Sequence, residues 1–235
     1  MNNIEEKLKE GLIFSVDKPY KWTSSDVIRK IRSILRYRHE IKKIKVGHAG
    51  TLDPLATGVL VVCIGKATKQ IEEIQTGEKE YIADIRFGAT TPCFDLEKPV
   101  DEVFPYEHIT REALEISLGK FTGDIEQIPP LFSAKMINGT RAYEFARKGE
   151  TFEIKSSTVC IKEIEIVKFD LPDAILRIVC SKGTYIRSIA RDLGFEMQSG
   201  AHLTNLCRTR SGNFLLNNSI NITDLEIFFK NFETK

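Results

Sequence analysis

The chain has 235 residues, of which 42% are hydrophobic and 29% charged, and 34 basic residues against 33 acidic ones leave a net charge of +1. These values are ordinary for globular proteins and exclude a disordered chain, collagen or a coiled coil as a description of the whole. No apolar segment follows a basic start, and the longest apolar run, at 59–64, is far too short to span a bilayer. We therefore expect neither a secretory signal nor a membrane anchor.

Apolar side chains in the first part of the chain follow both helical and strand periods. They recur at helical spacing after Ser24 and Ser25, either of which is a suitable helix N-cap. The run 59–64 is continuously apolar, as in a strand buried on both faces. In chain order the expected elements are a strand at 12–16, a helix from Ser24 or Ser25, a loop at 47–58, a strand at 59–64, a helix at 67–75 and a strand at 81–87.

The second part of the chain shows the same mixture of patterns. Pro129-Pro130 and Asn138-Gly139 predict a loop or hairpin over 127–139. The further expected elements are a helix at 110–118, a short helix at 140–148, strands at 158–169 and 174–180 joined by a turn at Pro172-Asp173, a helix at 185–197, a strand at 202–209 and a helix at 222–229. Strands and helices that mix without strict alternation predict an α+β fold.

Cysteine and histidine usage indicates no metal or disulfide site. Five cysteines are odd in number and lie far apart without a CxxC pair, and the four histidines are equally dispersed. Zinc sites and disulfide frameworks need closely spaced ligands or paired cysteines. We expect a reduced, cytoplasmic protein without a metal.

Charge is distributed unevenly along the chain. Over 18–48, ten Lys or Arg residues are opposed only by Asp26 and Glu40, whereas over 93–126 nine acidic residues are opposed by three basic ones. Such asymmetry favours a basic face that binds a polyanion such as nucleic acid. The alternative is an ordinary solvated surface.

The loop at 47–58, which reads GHAGTLDPLATG, holds the densest cluster of chemically suggestive residues. Its glycines free the backbone, and Pro54 restricts Asp53 to extended conformations, so a carboxylate can be presented from a fixed loop into a cleft. The loop lacks the lysine and the spacing of a phosphate-binding P-loop. From the residues alone, an Asp-Pro turn closed by an Asx-type hydrogen bond is the simpler interpretation.

The same loop resembles the catalytic motif of the TruB family of pseudouridine synthases, and the similarity extends over nearly the whole chain. Other blocks resemble the family's first strand with its Asp-Lys-Pro loop, its tyrosine-bearing strand, its RNA-clamping insertion and two later segments. These blocks are LIFSVDKPYKWTSS (12–25), KEYIADIRFG (79–88), QIPPLFSAKMINGTRAYEFARKG (127–149), GTYIRSIARDLG (183–194) and AHLTNLCRTR (201–210). The LATG ending of the loop is more similar to stand-alone bacterial enzymes than to guide-RNA-dependent relatives.

The resemblance implies an isomerase that converts uridine 55 in the T-loop of tRNA to pseudouridine on a flipped-out base. The N1–C1′ bond breaks, the base turns and C5 bonds to C1′, so no metal or nucleotide cofactor is expected. The implied fold is a mixed, mostly antiparallel sheet flanked by helices and loops. The implied partner is the T-arm and T-loop of tRNA, with no membrane, no protein partner and a monomeric state.

The resemblance also implies roles for individual residues. Asp53 matches the essential aspartate, which acts covalently at C1′ or at C6, and Arg187 matches the arginine that pairs with it. Tyr81 matches the tyrosine that stacks on the flipped base and is a candidate for moving a proton. His48 matches the histidine that fills the space vacated by the flipped nucleotides. Further expected substrate-binding residues are Tyr185, Leu206 and Lys18, and further expected phosphate contacts are Lys135, Arg141, Arg147 and Lys148.

Without the family, each of these residues has a structural interpretation. Arg187 on an amphipathic helix would face solvent, and His48 would be an ordinary polar residue of an exposed loop. Tyr81, Tyr185 and Leu206 would belong to the core. A cleft between the Asp53 loop, the Tyr81 strand and the Arg187 helix is expected only if the resemblance holds.

Two other functions remain open from the residues. A tRNA-binding folding factor would open and refold the T-loop without needing Asp53, so it would survive Asp53→Asn. A carboxylate-dependent glycosidase would need a second positioned acid as proton donor, and the pairing of Asp53 with Arg187 argues against it.

The blocks predict one catalytic domain over 1–235 with an RNA-clamping insertion around 127–150. Only 25 residues follow Arg210, which are too few for the small C-terminal RNA-binding PUA domain of many bacterial relatives. We therefore expect the catalytic domain to work without it.

Overall fold

The structure, a computed structural model, describes residues 3–132, 136–137, 140–141 and 155–234. Its contacts divide the chain into two compact units, which we call the first unit (Met1–Glu80 and Cys207–Lys235) and the second unit (Tyr81–Leu206). In the described part of the chain, no helix combines the length and the apolar character needed to cross a bilayer.

The elements follow one another in a mixed order. The described α-helices are α1 (Asn3–Glu10), α2 (Ser24–Arg38), α3 (Ile71–Thr76), α4 (Arg111–Gly119), α5 (Ile186–Glu196) and α6 (Leu225–Thr234). The strands are β1 (Leu12–Lys18), β2 (Val46–His48), β3 (Thr57–Ile64), β4 (Lys79–Phe87), β5 (Ala89–Thr90), β6 (Glu102–Val103), β7 (Gly123–Gln127), β8 (Met136–Ile137), β9 (Thr140–Arg141), β10 (Ser157–Asp170), β11 (Asp173–Cys180), β12 (Ala201–Ser211), β13 (Phe214–Leu215) and β14 (Ile220–Asn221). Short 3-10 helices cover Gly65–Gln70, Leu216–Asn218 and Ile222–Asp224.

The first unit is built around β3, the continuously apolar strand. β1 runs antiparallel beside it, with Leu12 opposite Ile64, and β14 runs parallel to β1. β2 is antiparallel to β3, and the last part of β12 is parallel to it, with Arg208 opposite Gly58. β2 precedes the Asp53 loop and β3 follows it, so their pairing holds the two ends of the loop together.

Helices cover this sheet with their apolar faces. The apolar side chains of α2, including Val27, Ile31 and Leu35, are buried in one cluster with residues of β1 and β3. Leu8 of α1 and Phe229 of α6 complete the cluster. Each such large aliphatic or aromatic side chain contributes about 1.5–3 kcal/mol when it is fully buried, so the cluster holds α2 firmly on the sheet.

The N-terminus of α2 differs in one residue from the expectation. Its N-cap is Thr23, which forms a capping box with Asp26: the Thr23 N–H donates to Asp26 Oδ2 (2.8 Å) and the Asp26 N–H donates to Thr23 Oγ1 (3.1 Å). The prediction of Ser24 or Ser25 as the cap is therefore wrong. A threonine with an acidic residue three positions later satisfies two backbone donors at once, and this leaves the Ser24 hydroxyl free for another partner.

The second unit has the strand order β12, β4, β11, β10, β7. β10 and β11 form a long antiparallel hairpin that closes with Asp170 opposite Asp173, and β7 is antiparallel to β10. α4 and α5 supply buried apolar residues such as Leu118 and Leu193. The strand pairs whose register is described are antiparallel, except β1 with β14 and β3 with β12. The prediction of an α+β fold with a mixed, mostly antiparallel sheet is confirmed.

Three further sequence predictions need correction. The helix expected at 67–75 is a 3-10 helix that continues as α3, and the loop expected at 47–58 begins inside β2 and ends inside β3. The helix expected at 140–148 is wrong at its start, because β9 pairs with β8 in the antiparallel way that an intervening Asn-Gly pair favours. The rest of that segment lies outside the described residues, with Lys135, Arg147, Lys148 and most of the expected insertion, and the Arg141 side chain is not described.

Candidate active site

Asp53 is partly buried on the loop between β2 and β3, in the first unit. Its backbone carbonyl accepts a hydrogen bond from the Ala56 N–H (3.1 Å), which closes a turn directly after it. Leu52 and Ala56, on either side, are 4% and 2% exposed. A turn is thus present at the Asp-Pro pair, closed by a backbone hydrogen bond. Asp53 is its first residue, and the neighbouring Leu52 and Ala56 are packed into the protein.

The buried hydroxyl of Ser24 holds the residue before Asp53. Ser24 Oγ accepts a hydrogen bond from the Leu52 N–H (2.9 Å) and donates one to the Leu52 carbonyl (3.2 Å). A hydroxyl that satisfies both backbone groups of one residue mimics a strand partner. The first residue of α2 therefore fixes the loop at the position next to the carboxylate.

Arg208 fixes the loop from a second direction. The side chain is almost fully buried, at 1% exposure, and its guanidinium donates to the carbonyl oxygens of Val59 (Nε, 2.7 Å), Gly50 (Nη2, 3.1 Å) and Thr51 (Nη1, 3.5 Å). A planar guanidinium with several fixed donors suits such an array better than any other side chain. The two ends of the loop, at Gly50 and at Val59, are consequently tied to a single group.

The close pairing of β12 with the start of β3 requires a glycine at position 58. Gly58 has a φ of +97°, and a Cβ atom there would lie 2.2 Å from the Arg208 carbonyl oxygen. Because the obstructing atom is backbone, a side chain at this position could not be accommodated by a rotamer change. Gly58 therefore sets the close approach that lets Arg208 reach the loop.

Lys18 reaches the same loop from the end of β1. Its ammonium, on a side chain with 0% exposure, donates to the carbonyl oxygens of Pro19 (3.0 Å), Trp22 (2.5 Å) and Pro54 (3.2 Å). Burial lowers the pKa of Lys18 to about 8, against the opposing effect of the nearby Asp53 carboxylate, which raises it. Lys18, which was predicted to contact the substrate, thus binds the backbone carbonyl of Pro54, the residue that follows Asp53.

His48 precedes the loop at the end of β2. Burial lowers the pKa of its imidazole, the charge of Arg208 lowers it further, and a hydrogen bond with the Gly50 backbone works in the opposite direction. Its Nδ1 atom is buried and has no hydrogen-bond partner among the residues that the structure describes. The imidazole is therefore neutral at pH 7, in keeping with a role in space filling or stacking.

In the second unit, the predicted residues Tyr185 and Arg187 lie at the start of α5. The Tyr185 N–H donates to Gln127 Oε1 (2.8 Å), and Gln127 Nε2 donates to the Tyr185 carbonyl (3.2 Å). Ser188 Oγ donates to the Ile128 carbonyl (2.8 Å). Gln127 at the end of β7 and the following Ile128 therefore hold the first turn of α5 in place.

Arg187 is buried, with 4% of its surface exposed, so the interpretation of a solvent-facing helical arginine is wrong. Its guanidinium donates to the carbonyl oxygens of Cys93 (Nη1, 3.2 Å) and Phe132 (Nη2, 2.9 Å). Its Nε lies 3.6 Å from Asp95 Oδ2, in an ion pair whose side chains are 5% and 7% exposed. A buried charge of this kind is tolerated only when it is paired and hydrogen-bonded.

Asp95 is itself held in a fixed orientation. Its Oδ1 accepts hydrogen bonds from the Glu97 N–H (2.9 Å) and the Cys93 thiol (3.0 Å). Burial raises the pKa of Cys93, and the hydrogen bond to Asp95 raises it further, so the thiol remains protonated and can donate. A carboxylate with these partners presents its second oxygen to Arg187.

Tyr81 and Leu206 lie on β4 and β12, which are neighbours in the sheet of the second unit. Each is 8% exposed, and Tyr81 lies on the same face of β4 as the buried residues Ala83 and Ile85. This placement fits the core interpretation that strand periodicity favours. Their predicted contact with a substrate base remains a prediction.

The structure distributes the predicted residues between the two units. Lys18, His48 and Asp53 meet around one loop of the first unit, whereas Tyr81, Tyr185, Arg187 and Leu206 belong to the second unit. Asp53 and Arg187 belong to different units, and their pairing stays a prediction.

The supporting residues Ser24, Arg208, Gln127 and Asp95 were not foreseen as parts of a site. Arg208 had a detectable signal: it shares its face of β12 with the buried Leu206, where a solvent-exposed arginine is not expected. Within the described ranges, no group of three or more His, Cys, Asp or Glu residues is arranged to hold a metal ion.

Comparison with known proteins shows extensive similarity at the level of sequence. Residues 36–186 match the family described as TruB family pseudouridylate synthase (N terminal domain). The chain is 57% identical over 214 residues to a protein of Phocaeicola vulgatus named tRNA pseudouridine synthase B, with 91% of each chain covered. It is 54% identical over 220 residues to a protein of Parabacteroides distasonis with the same name, with 94% of each covered.

Solved structures show the same similarity in three dimensions. A chain in a crystal structure of a Cbf5–Nop10–Gar1 complex matches 98% of this chain with a TM-score of 0.73 and 28% identity. A structure of an H/ACA RNP bound to a substrate RNA containing 2′-deoxyuridine matches with a TM-score of 0.70 and 26% identity. This chain spans 57% of the length of each of these two chains.

Proposed function

Because the chain belongs to the TruB family of pseudouridylate synthases, we propose that it isomerises a uridine of tRNA to pseudouridine, and that the uridine is position 55 of the T-loop. The name shared by the relatives that are 57% and 54% identical, tRNA pseudouridine synthase B, supports tRNA as the substrate. Position 55 is the target that the family resemblance implies.

The reaction exchanges one bond of the nucleotide for another. The N1–C1′ bond between base and ribose breaks, the uracil turns within the site, and a C5–C1′ bond forms. The proton lost from C5 is balanced by the proton gained at N1, so the product is an isomer of the substrate. The target base is stacked inside a folded loop and must be extruded before an enzyme can reach it.

We propose that Asp53 is the catalytic nucleophile. A carboxylate can add either to C1′, with uracil as the leaving group, or to C6 of the ring, and it is expelled again when the new bond has formed. Both routes require a carboxylate that is held in place and accessible to the substrate. The loop geometry supports this role, because Ser24 fixes Leu52, Lys18 fixes Pro54 and the carboxylate between them is only partly buried.

Arg187 is proposed as the cation that pairs with Asp53 in the working enzyme. The proposal depends on the family motif, and it is supported by the buried position of Arg187 and by its fixed orientation on Asp95 and two carbonyl groups. An arginine fork that is already oriented loses little entropy when it binds a carboxylate.

The remaining residues are proposed to bind the flipped nucleotide. Tyr81 would stack on the uracil and Tyr185 and Leu206 would line the pocket, while neutral His48 would fill the space that the base leaves. We also propose that the protein acts as a monomer in the cytoplasm, where tRNA is modified.

The observation that carries the proposal is the Asp53 loop, fixed from β1, α2 and β12 in a chain of this family. The test uses unmodified tRNA transcript and purified protein without added metal or nucleotide, and maps pseudouridine by chemical labelling. Wild type should form pseudouridine at position 55, Asp53→Asn should form none while still binding tRNA, and the exposed control Asp124→Asn should behave as wild type.

Pseudouridine formation by Asp53→Asn would refute the nucleophile. Absence of pseudouridine with the wild-type protein would refute the function itself. If the protein were a folding factor, its Asp53→Asn variant would still accelerate the refolding of tRNA. A refolding assay on this variant therefore distinguishes a folding factor from an isomerase.

A further inference from the structure

Phe94 has a backbone conformation that a bulky side chain rarely adopts. Its φ is +60°, in the left-handed region, where the Cβ atom crowds the carbonyl oxygen that follows. Hydrogen bonds fix this conformation on both sides: the Phe94 N–H donates to the Thr91 carbonyl (3.1 Å), and the Phe94 carbonyl accepts from the Leu203 N–H of β12 (3.0 Å). Such strain persists only where the surrounding structure enforces it, and it is frequent at functional sites.

The two residues that flank Phe94 both bind Arg187. The Cys93 carbonyl accepts a hydrogen bond from Arg187 Nη1 (3.2 Å), and Asp95 Oδ2 lies 3.6 Å from Arg187 Nε. Because these groups are separated by one residue and meet one guanidinium, their approach depends on the direction of the backbone at Phe94. The conformation of Phe94 consequently decides whether both partners reach Arg187.

Arg191 holds the ring of Phe94 in place. Its guanidinium carbon lies over the ring, 5.6 Å from the centroid, within the range of a cation–π contact. Arg191 follows Arg187 by one turn of α5, and its side chain is 14% exposed. Two successive turns of α5 therefore hold the segment 93–95, the first through Arg187 and the second through Arg191.

Arg191 also fixes the second segment that binds Arg187. Arg191 Nη2 donates to the Ile128 carbonyl (3.0 Å), and Arg191 Nε donates to Asp192 Oδ1 (2.7 Å). Four positions after Ile128, the Phe132 carbonyl accepts from Arg187 Nη2 (2.9 Å). Arg191 thus contacts both stretches of chain that supply the partners of Arg187.

A second cation beside Arg187 has an electrostatic cost. Like charges four residues apart on a helix repel each other, and Asp192 offsets part of the Arg191 charge through an ion pair of 2.7 Å. An apolar side chain at position 191 could pack on Phe94 without this repulsion, but it could not also bind the Ile128 carbonyl. The arginine therefore contributes an orientation that apolar packing would not give.

We propose that Arg191 and Phe94 are positioning residues, which act through Arg187 and set the orientation of its guanidinium for catalysis. The inference rests on the proposed function, in which Arg187 pairs with Asp53. Because the two residues act on another side chain and not on the RNA, their loss should slow the reaction at saturating tRNA. The dissociation constant for tRNA should stay the same.

The test measures single-turnover pseudouridine formation at saturating tRNA, the dissociation constant for tRNA and the unfolding midpoint. Arg191→Met and Phe94→Leu each remove the cation–π contact, whereas Phe94→Tyr keeps it. We expect rates about tenfold lower for the first two, which corresponds to about 1.4 kcal/mol in the barrier and lies within the range of one such contact. Phe94→Tyr should react at the wild-type rate.

Two matched controls remove exposed side chains of the same types. Arg111→Met on α4 removes an exposed arginine, and Phe195→Leu on α5 removes a phenylalanine that is 67% exposed. Both should react at the wild-type rate. The double variant Phe94→Leu/Arg191→Met tests whether the two residues act together, because residues that act through one contact are not additive. It should react no more slowly than the slower of its two single variants.

Several results would overturn the proposal: wild-type rates for Arg191→Met and Phe94→Leu, rate losses that multiply in the double variant, or weaker tRNA binding with a normal saturating rate. A lower unfolding midpoint with a normal rate would assign the two residues to the stability of the fold alone and would also overturn it. Failure of the proposed function gives different results, namely wild-type protein that forms no pseudouridine, or Arg187→Ala that reacts as fast as wild type.

Discussion

Ser24 and Leu52 exchange two hydrogen bonds, from the Leu52 N–H to Ser24 Oγ (2.9 Å) and from Ser24 Oγ to the Leu52 carbonyl (3.2 Å), across 28 positions of sequence. They join the start of α2 to the residue before Asp53. The hydroxyl is buried and has been released from helix capping by Thr23. Its function is to position the loop.

Ser24→Ala should therefore lower both stability and activity. It leaves a buried N–H and a buried carbonyl unpaired, at a cost of about 1–3 kcal/mol, and it loosens the residue next to Asp53, the proposed nucleophile. We expect at least a tenfold lower rate at saturating tRNA. Ser25→Ala, one residue along the same helix on an exposed side chain, is the control and should leave both the unfolding free energy and the rate unchanged.

Substitution of Arg208 by lysine should have a larger effect. One ammonium group cannot reach the carbonyl oxygens of Val59 and Gly50 together, so two charge-assisted hydrogen bonds are lost at a cost of about 3 kcal/mol. Denaturant unfolding measures this cost, and a lower saturating rate should accompany it. Arg210→Lys, whose Nη1 lies 3.8 Å from Glu78 in a more exposed pair, should change stability by less than about 1 kcal/mol. Equal effects of the two substitutions would contradict the special role of Arg208.

Asp95→Asn tests the support of Arg187. The amide keeps an acceptor for the Glu97 N–H but removes the charge opposite a buried guanidinium, and breaking such a pair costs about 3–5 kcal/mol. The expected outcome is a lower unfolding midpoint together with slower pseudouridine formation at saturating tRNA. Asp101→Asn, in the same unit on an exposed side chain, is the control. A variant that is destabilised but reacts at the normal rate would show that Asp95 only stabilises the fold.

Lys18 predicts how stability changes with pH. Its pKa is about 8 in the folded protein and about 10.4 in the unfolded chain. Between pH 8 and about pH 10.4, the unfolded state binds more protons at Lys18 than the folded state does. The free energy of unfolding therefore rises with pH across this range, by about 3 kcal/mol in all. The contribution is absent below pH 8, where lysine is protonated in both states.

The measurement for Lys18 compares wild type with Lys18→Met by denaturant unfolding from pH 7 to pH 10. The difference in unfolding free energy should shift in favour of wild type as pH rises above 8. A difference that is constant across this range would show that Lys18 titrates at its ordinary pKa.

Most of the fold could be predicted from the sequence, because the spacing of its apolar residues clearly distinguishes strands from helices. The continuous run of β3 and the alternation of β4 each exclude other elements, and the core positions of α2 follow helical spacing. It failed where two local preferences compete: Thr23 and Ser24 are both good caps, and only the acidic residue at position 26 decides between them.

Some residues of the candidate site could be predicted from the sequence, and others could not. Asp53 and Arg187 were predicted as site residues only because their segments resemble motifs of the TruB family; the residues alone favoured a turn and a solvent-facing arginine. Ser24, Arg208 and Asp95 act through contacts over 28 to 158 positions of sequence or with buried charges. Periodicity and motif spacing contain no information on such distant partners, so the contacts of these residues became visible only in three dimensions. For Arg208, the alternation of β12 indicates burial but not the groups that the side chain binds.

Arg208 also determines when during synthesis the Asp53 loop can become competent. The guanidinium and the Val59 carbonyl that it binds are separated by 149 positions. A ribosome that adds about 5–20 residues per second needs about 8–30 s to cover this separation. Throughout that interval the nascent chain already holds its carboxylate loop but not the strand that fixes it. We therefore expect the loop to reach its final geometry only when the last strands of the first unit have been made.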